Sequence, residues 1–110
     1  MKLPNGERAE LGDKLEGYSL NPSHREGRHK ARVFAALLGL RLEDAPILRG
    51  AILAAAAASD EAESRGDHGF GETFVLRFPM ATDAGSAVVL TAWIIRHGED
   101  FPRLTTCYTL

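Results

Sequence analysis

Residues Ala87–Arg96, AVVLTAWIIR, constrain the fold of this chain more than any other stretch. Read as a strand, the segment puts Thr91 and Trp93 on one face and Ile94 and Arg96 on the other. Apolar side chains occupy both faces, so the strand belongs in the middle of a sheet. Thr73–Met80 alternates more cleanly, with Phe74, Leu76, Phe78 and Met80 facing one way. Leu104–Leu110 (LTTCYTL) is rich in β-branched and aromatic residues and closes the chain as a further strand. Thr82-Asp83-Ala84-Gly85 and Gly98-Glu99-Asp100 suit the turns of antiparallel hairpins. The second half therefore predicts a three- to four-stranded antiparallel meander.

The first half reads as helical. Gly12–Leu20 predicts a short helix with Asp13 near its N-cap and Leu15 and Tyr18 on the inner side. Asn21-Pro22 ends it, because proline biases the residue before it away from the α region. A second helix is predicted over Arg28–Leu38, with Ala31, Phe34, Leu37 and Leu38 on one stripe, Val33 at its edge and Gly39 as the stop. A third runs from Asp44 to Ala58 with Pro46 in its first turn and an apolar face of Ile47, Leu48, Ala51, Ile52 and Ala55. Ser59–Gly71 (SDEAESRGDHGFG) is acidic and then glycine-rich, and reads as a mobile surface connection. Helices followed by strands within 110 residues predict a single α+β domain over 1–110, with the helices on one face of the sheet.

Bulk charge says little about a ligand. The net charge is −2, so the molecule as a whole is no polyanion binder, although a local basic patch can still form an anion site. The lone Cys107 excludes an internal disulfide and a cysteine zinc cage, which points to a reducing compartment. MKLPNGERAE lacks the apolar core of a signal peptide, and Ala51–Ala58 is too short to cross a bilayer. These features predict a cytoplasmic protein without a membrane anchor.

The chemistry concentrates in Asn21–Leu40, NPSHREGRHKARVFAALLGL, which carries His24, Arg25, Arg28, His29, Lys30 and Arg32 at and before a helix start. Positive charge there opposes the helix dipole, and a locally unfavourable cluster invites a functional reading. Helical spacing sets Lys30 on the side of Phe34 and Leu37, with Arg28 and Arg32 opposite and His29 on a flank. Lys30 then either covers apolar surface with its stem or contacts an anion in a groove between helix and sheet. Free N–H groups at the helix start and the arginines suit a phosphate. His29, beside Lys30, has the strongest context for proton transfer, whereas His68 and His97 read as exposed turn residues. No HExxH pattern is present, and His24 and His29 stand five apart across a loop–helix boundary, so no metal site and no cofactor is predicted.

The last strands supply the remaining candidates. Thr106 and Tyr108 share one face, and Thr105, Cys107 and Thr109 the other. Such residues are good strand formers first; as a site they would be a wall of hydroxyls, with Trp93 or Tyr108 as a stacking surface for a base. Arg96 and Arg103 flank the last hairpin and extend the positive surface. GFGETF (Gly69–Phe74) precedes a strand, so it is no phosphate loop. Cys107 reads as a small core residue.

The pattern Tyr18…Leu20-Asn21-Pro22, Gly27-Arg28-His29-Lys30-Ala31-Arg32-Val33-Phe34, Leu38-Gly39, Thr91-Ala92-Trp93-Ile94-Ile95 and Phe101-Pro102-Arg103-Leu104-Thr105-Thr106-Cys107-Tyr108 resembles a small bacterial and phage domain of unassigned function. That domain also ends large polymorphic-toxin or phage-head-associated proteins. Its layout is similar to the metal-independent ribonuclease toxins of the barnase, EndoU, colicin and RelE group. The resemblance implies a toxin-like, RNA-directed domain with an endoribonuclease as candidate activity. Its site would comprise His29, Lys30, Thr106 and Tyr108, with Arg28, Arg32, Arg96, Arg103 and Trp93 on the RNA, and a small antitoxin or immunity protein as partner. The rival reading is a non-catalytic module that pairs with a small neighbouring protein by strand addition on the last strand; self-association through that edge is a third.

Overall fold

The computed structural model describes residues 1–110 and has the α+β layout. Two helices, α1 (Arg28–Leu38) and α2 (Ala45–Ala58), precede β1 (Glu63–Asp67), β2 (Gly71–Thr82), β3 (Gly85–Arg96) and β4 (Arg103–Thr109). The strands pair antiparallel in the order β1-β2-β3-β4, a meander, so the doubly apolar AVVLTAWIIR segment is interior. Phe74 pairs with Trp93, Leu76 with Thr91 and Phe78 with Val89, and these side chains form the face that the helices cover. Phe34 and Leu38 of α1 and Leu48, Ile52 and Ala56 of α2 pack into the same core. Burying each large side chain of this kind stabilises the fold by ~1.5–3 kcal/mol. Polar groups in the core between sheet and helices are paired: Thr91 Oγ1 donates to Leu76 O at 2.7 Å and accepts from Trp93 Nε1 at 2.8 Å. No helix is long and apolar enough to cross a membrane.

Three sequence expectations need correction. Ser59–Gly71 is not a simple connection, because β1 forms within it. Every residue of β1 is exposed, so no apolar alternation marks it. Backbone pairing holds it to β2, with a bulge at Arg65, the Glu63–Arg77 ion pair and Thr73 Oγ1 donating to Gly66 O at 2.8 Å. The predicted helix over Gly12–Leu20 shrinks to one π-type turn, Leu15–Ser19. The helix faces are also narrower than their apolar content: Leu37 and Ile47 are exposed, and α2 turns Ala45, Leu48, Ile52 and Ala56 inward. Ala45 and Ala56 fit the close approach beside Leu48 and Ile52, and Leu37 and Ile47 are left at the margin.

Each edge of the sheet carries features that hinder a further strand. Along β4, Glu10 N–H donates to Pro102 O, Leu104 N–H donates to Glu10 O, and Ser19 Oγ donates to Cys107 O at 3.0 Å. The N-terminal segment thus pairs with the start of the edge on which strand addition was expected. At the other edge, β1 carries charge and a bulge, two features that discourage strand pairing.

Candidate active site at the start of α1

The start of α1 is built against Tyr18. Gly27 precedes the helix, and a Cβ there would collide with the Tyr18 carbonyl oxygen, so only glycine allows this approach. His24 organises the preceding turn: its Nδ1 accepts the N–H groups of Glu26 and Gly27 at 3.0 and 2.9 Å. An accepting Nδ1 leaves the proton of the neutral ring on Nε2. The His24 ring meets Tyr18 edge-on, 4.7 Å between centroids.

Lys30 leaves the helix on this side. Its Nζ donates to Tyr18 Oη at 3.0 Å and lies 4.7 Å from the Tyr18 ring centroid and 6.0 Å from that of Tyr108. No carboxylate pairs with it. Lys30, His29, Val33, Tyr108 and Thr109 line one open recess of about 370 Å³. His29 is exposed on its rim. The arrangement offers an imidazole, an ammonium held by aromatic groups and a phenol within one concavity, a set able to bind an anion and move a proton.

Thr106 does not reach this recess. It pairs with Ala92, and its hydroxyl is buried without a hydrogen-bond partner. Thr109 borders the recess instead, and its hydroxyl is also buried and unpartnered. Strand alternation sets Thr109 on the opposite face from Tyr108, which is why sequence reasoning passed over it. Because β4 is the last strand of the sheet, a recess beside its C-terminal end takes consecutive residues from both faces.

On the other side of α1, Arg28 and Arg32 line a second recess of about 350 Å³. Arg41, which sequence reasoning missed, joins them above Leu20, Pro22, Ala31, Ala35 and Leu42. It follows Gly39, whose left-handed φ of 65° ends the helix.

The remaining basic and aromatic candidates stand elsewhere. Trp93 is 1 % exposed and sits in the core, so the expectation that it stacks on a base is corrected: no base can reach it. Arg103 is engaged by Glu99 through two hydrogen bonds of 2.9 and 2.8 Å and lies over the Phe101 ring. The Arg103 hydrogen bond holds the Glu99 carboxyl below its ordinary value. Arg96 is exposed beyond the last β3–β4 pair and lines neither recess. His97 Nε2 is 2.6 Å from Asp67 Oδ2, and this hydrogen bond leads the lowering of the Asp67 pKa. Burial pushes the Cys107 thiol up to about 11, which leaves it unreactive at neutral pH.

No curated protein and no solved structure matches the chain. A family model does match, over residues 2–110, and it is that of a domain of unknown function, DUF6883. A match across nearly the full length places the candidate site inside the shared unit: the chain belongs to the DUF6883 family.

Proposed function

We propose that this chain is an RNA-directed, toxin-like domain and that the recess at the start of α1 is a metal-independent phosphodiester-cleaving centre. One observation carries the reading: His29, Lys30 and Tyr108, drawn from a helix and the last strand, line one open recess without a carboxylate partner. In the proposed reaction His29 takes the proton of a ribose 2′-hydroxyl. The 2′-oxygen attacks the adjacent phosphorus, and the bond from phosphorus to the 5′-oxygen breaks. Tyr108 supplies the proton for that oxygen, leaving a 2′,3′-cyclic phosphate and a 5′-hydroxyl. Lys30 balances the charge that develops on the phosphate oxygens. Tyr18 positions Lys30, and Gly27 allows the helix to bring it there. A small antitoxin or immunity protein that covers the recess belongs to the same reading.

The test is incubation of the purified protein with total RNA in EDTA, with a His29→Ala/Lys30→Ala double variant as control. Cleavage by the wild type to cyclic-phosphate ends, lost in the double variant, supports the reading. An inert wild type, or undiminished cleavage by the variant, removes it.

A further inference from the structure

The second recess has a different chemistry from the first. Arg28 and Arg32 stand one helical turn apart on α1, and Arg41 faces them from the segment after the helix. None of the three makes an ion pair, although Glu26 and Glu43 are close in sequence. Like charges at this spacing repel, and Arg28 in the first turn also opposes the helix dipole. No acidic residue stands in that turn to offset it. Arg41 is held by its backbone, whose N–H donates to Asp44 Oδ2 at 3.0 Å, so its guanidinium is presented without a carboxylate of its own. Below the three cations the floor is aliphatic, with Leu20, Ala31 and Leu42.

We propose that this recess binds an acidic peptide segment of a partner protein, with one large apolar side chain on the floor and flanking carboxylates on Arg28, Arg32 and Arg41. A volume of about 350 Å³ accommodates one such side chain. The aliphatic floor discriminates between ligands. A nucleic-acid strand would use the guanidinium groups but gain nothing from leucine and alanine, and no aromatic side chain lines the recess for a base to stack on. A peptide with apolar and acidic residues uses both parts. The proposal does not rest on the ribonuclease reading, since it concerns the opposite side of α1.

The experiment pans a random dodecapeptide library on phage against the purified domain. The consensus peptide is then synthesised with a fluorophore and titrated by anisotropy, beside a fluorescent oligouridine of the same length. The expected consensus places Asp or Glu around Leu, Ile, Phe or Met. Each of Arg28→Ala, Arg32→Ala and Arg41→Ala should weaken its binding about tenfold or more, the scale of a lost charge-assisted hydrogen bond. Circular dichroism and thermal melting confirm that each variant folds. Arg41→Glu, outside the helix, gives a second route to the same loss should the α1 variants unfold. A neutral or basic consensus, no enrichment, or peptide binding unchanged in the arginine variants overturns the proposal. So does oligouridine binding that depends on these arginines while the peptide does not bind.

Discussion

The basic side chains at the start of α1 and those around the β3–β4 hairpin differ in their company. Near the hairpin, Arg103 is locked to Glu99, Arg8 reaches from the N-terminal segment to Asp100, and His97 bonds Asp67 across from the β1–β2 connection. Each of these positive or protonatable groups has a carboxylate; the Arg8 and His97 pairs tie distant segments together, and the Arg103 pair closes locally at the hairpin. At α1 the carboxylates are missing. Lys30 is held by a phenol, and Arg28, Arg32 and Arg41 have no acidic partner. Charge that is neutralised on its own chain serves the fold, whereas charge held in place without a counter-ion is available to a ligand. Arg103, grouped with the α1 cations in the sequence, therefore falls outside the candidate site, and Arg96 does so because it lines neither recess.

Substitutions can break this contrast. The largest effect is expected for His29→Ala/Lys30→Ala, which should lower RNA cleavage by about 10²-fold or more, the scale of lost acid–base catalysis. Thermal melting should barely move, because His29 is exposed and Lys30 partly so. The corresponding loss at the hairpin, Arg103→Ala, should leave the cleavage rate unchanged and lower the melting temperature slightly. A rate loss from Arg103→Ala at unchanged Lys30 geometry would erase the distinction.

Next in size is Gly27→Ala, which forces a Cβ against the Tyr18 carbonyl. Overpacking of this kind costs about 1–3 kcal/mol. It should also move α1 away from Tyr18, so the rate should fall more than stability alone explains. Denaturant melts and cleavage assays on the same sample separate the two effects.

Cys107 tests whether the inner side of β4 is as closed as its burial implies. Its thiol, raised from the ordinary 9.0 to about 11, stays protonated in the folded chain while the unfolded chain ionises above pH 9. The unfolded state therefore releases its proton first, and stability should fall as pH rises from 9 toward 11. A thiol reagent at pH 8 should label the native protein slowly and the denatured protein fast; fast native labelling would show an open edge.

The smallest effect belongs to the hairpin carboxylates. Asp67 and Glu99 titrate below their ordinary 3.8 and 4.5 when folded, through hydrogen bonds to His97 and Arg103. Their contribution is complete above those ordinary values and is lost as pH falls through the folded ones. An acid melting series should show Glu99→Gln flattening this decline slightly, while Arg28→Ala leaves it unchanged.

Much of the fold is legible in the residues because its signals are local. β2 and β3 announce themselves through alternation and double-sided apolarity, and α1 stops at Gly39, where a left-handed residue is needed. The strand Glu63–Asp67 is silent because backbone pairing to β2, not buried side chains, holds it. The site divides in the same way. Helical periodicity alone separates Lys30 from Arg28 and Arg32. It does not show Tyr18 meeting Lys30, Thr109 at the recess, or Arg41 returning beside α1.

From its sequence alone, this chain determined α1 and α2, its central strands and the side of α1 from which Lys30 projects, since each follows from spacing along one element. Tertiary structure decided which cations keep a carboxylate, why Trp93 is sealed in the core, and how the N-terminal segment pairs with the start of β4. Those outcomes depend on residues distant in sequence, such as Glu10 and Arg103 or Tyr18 and Lys30, whose meeting no local pattern encodes.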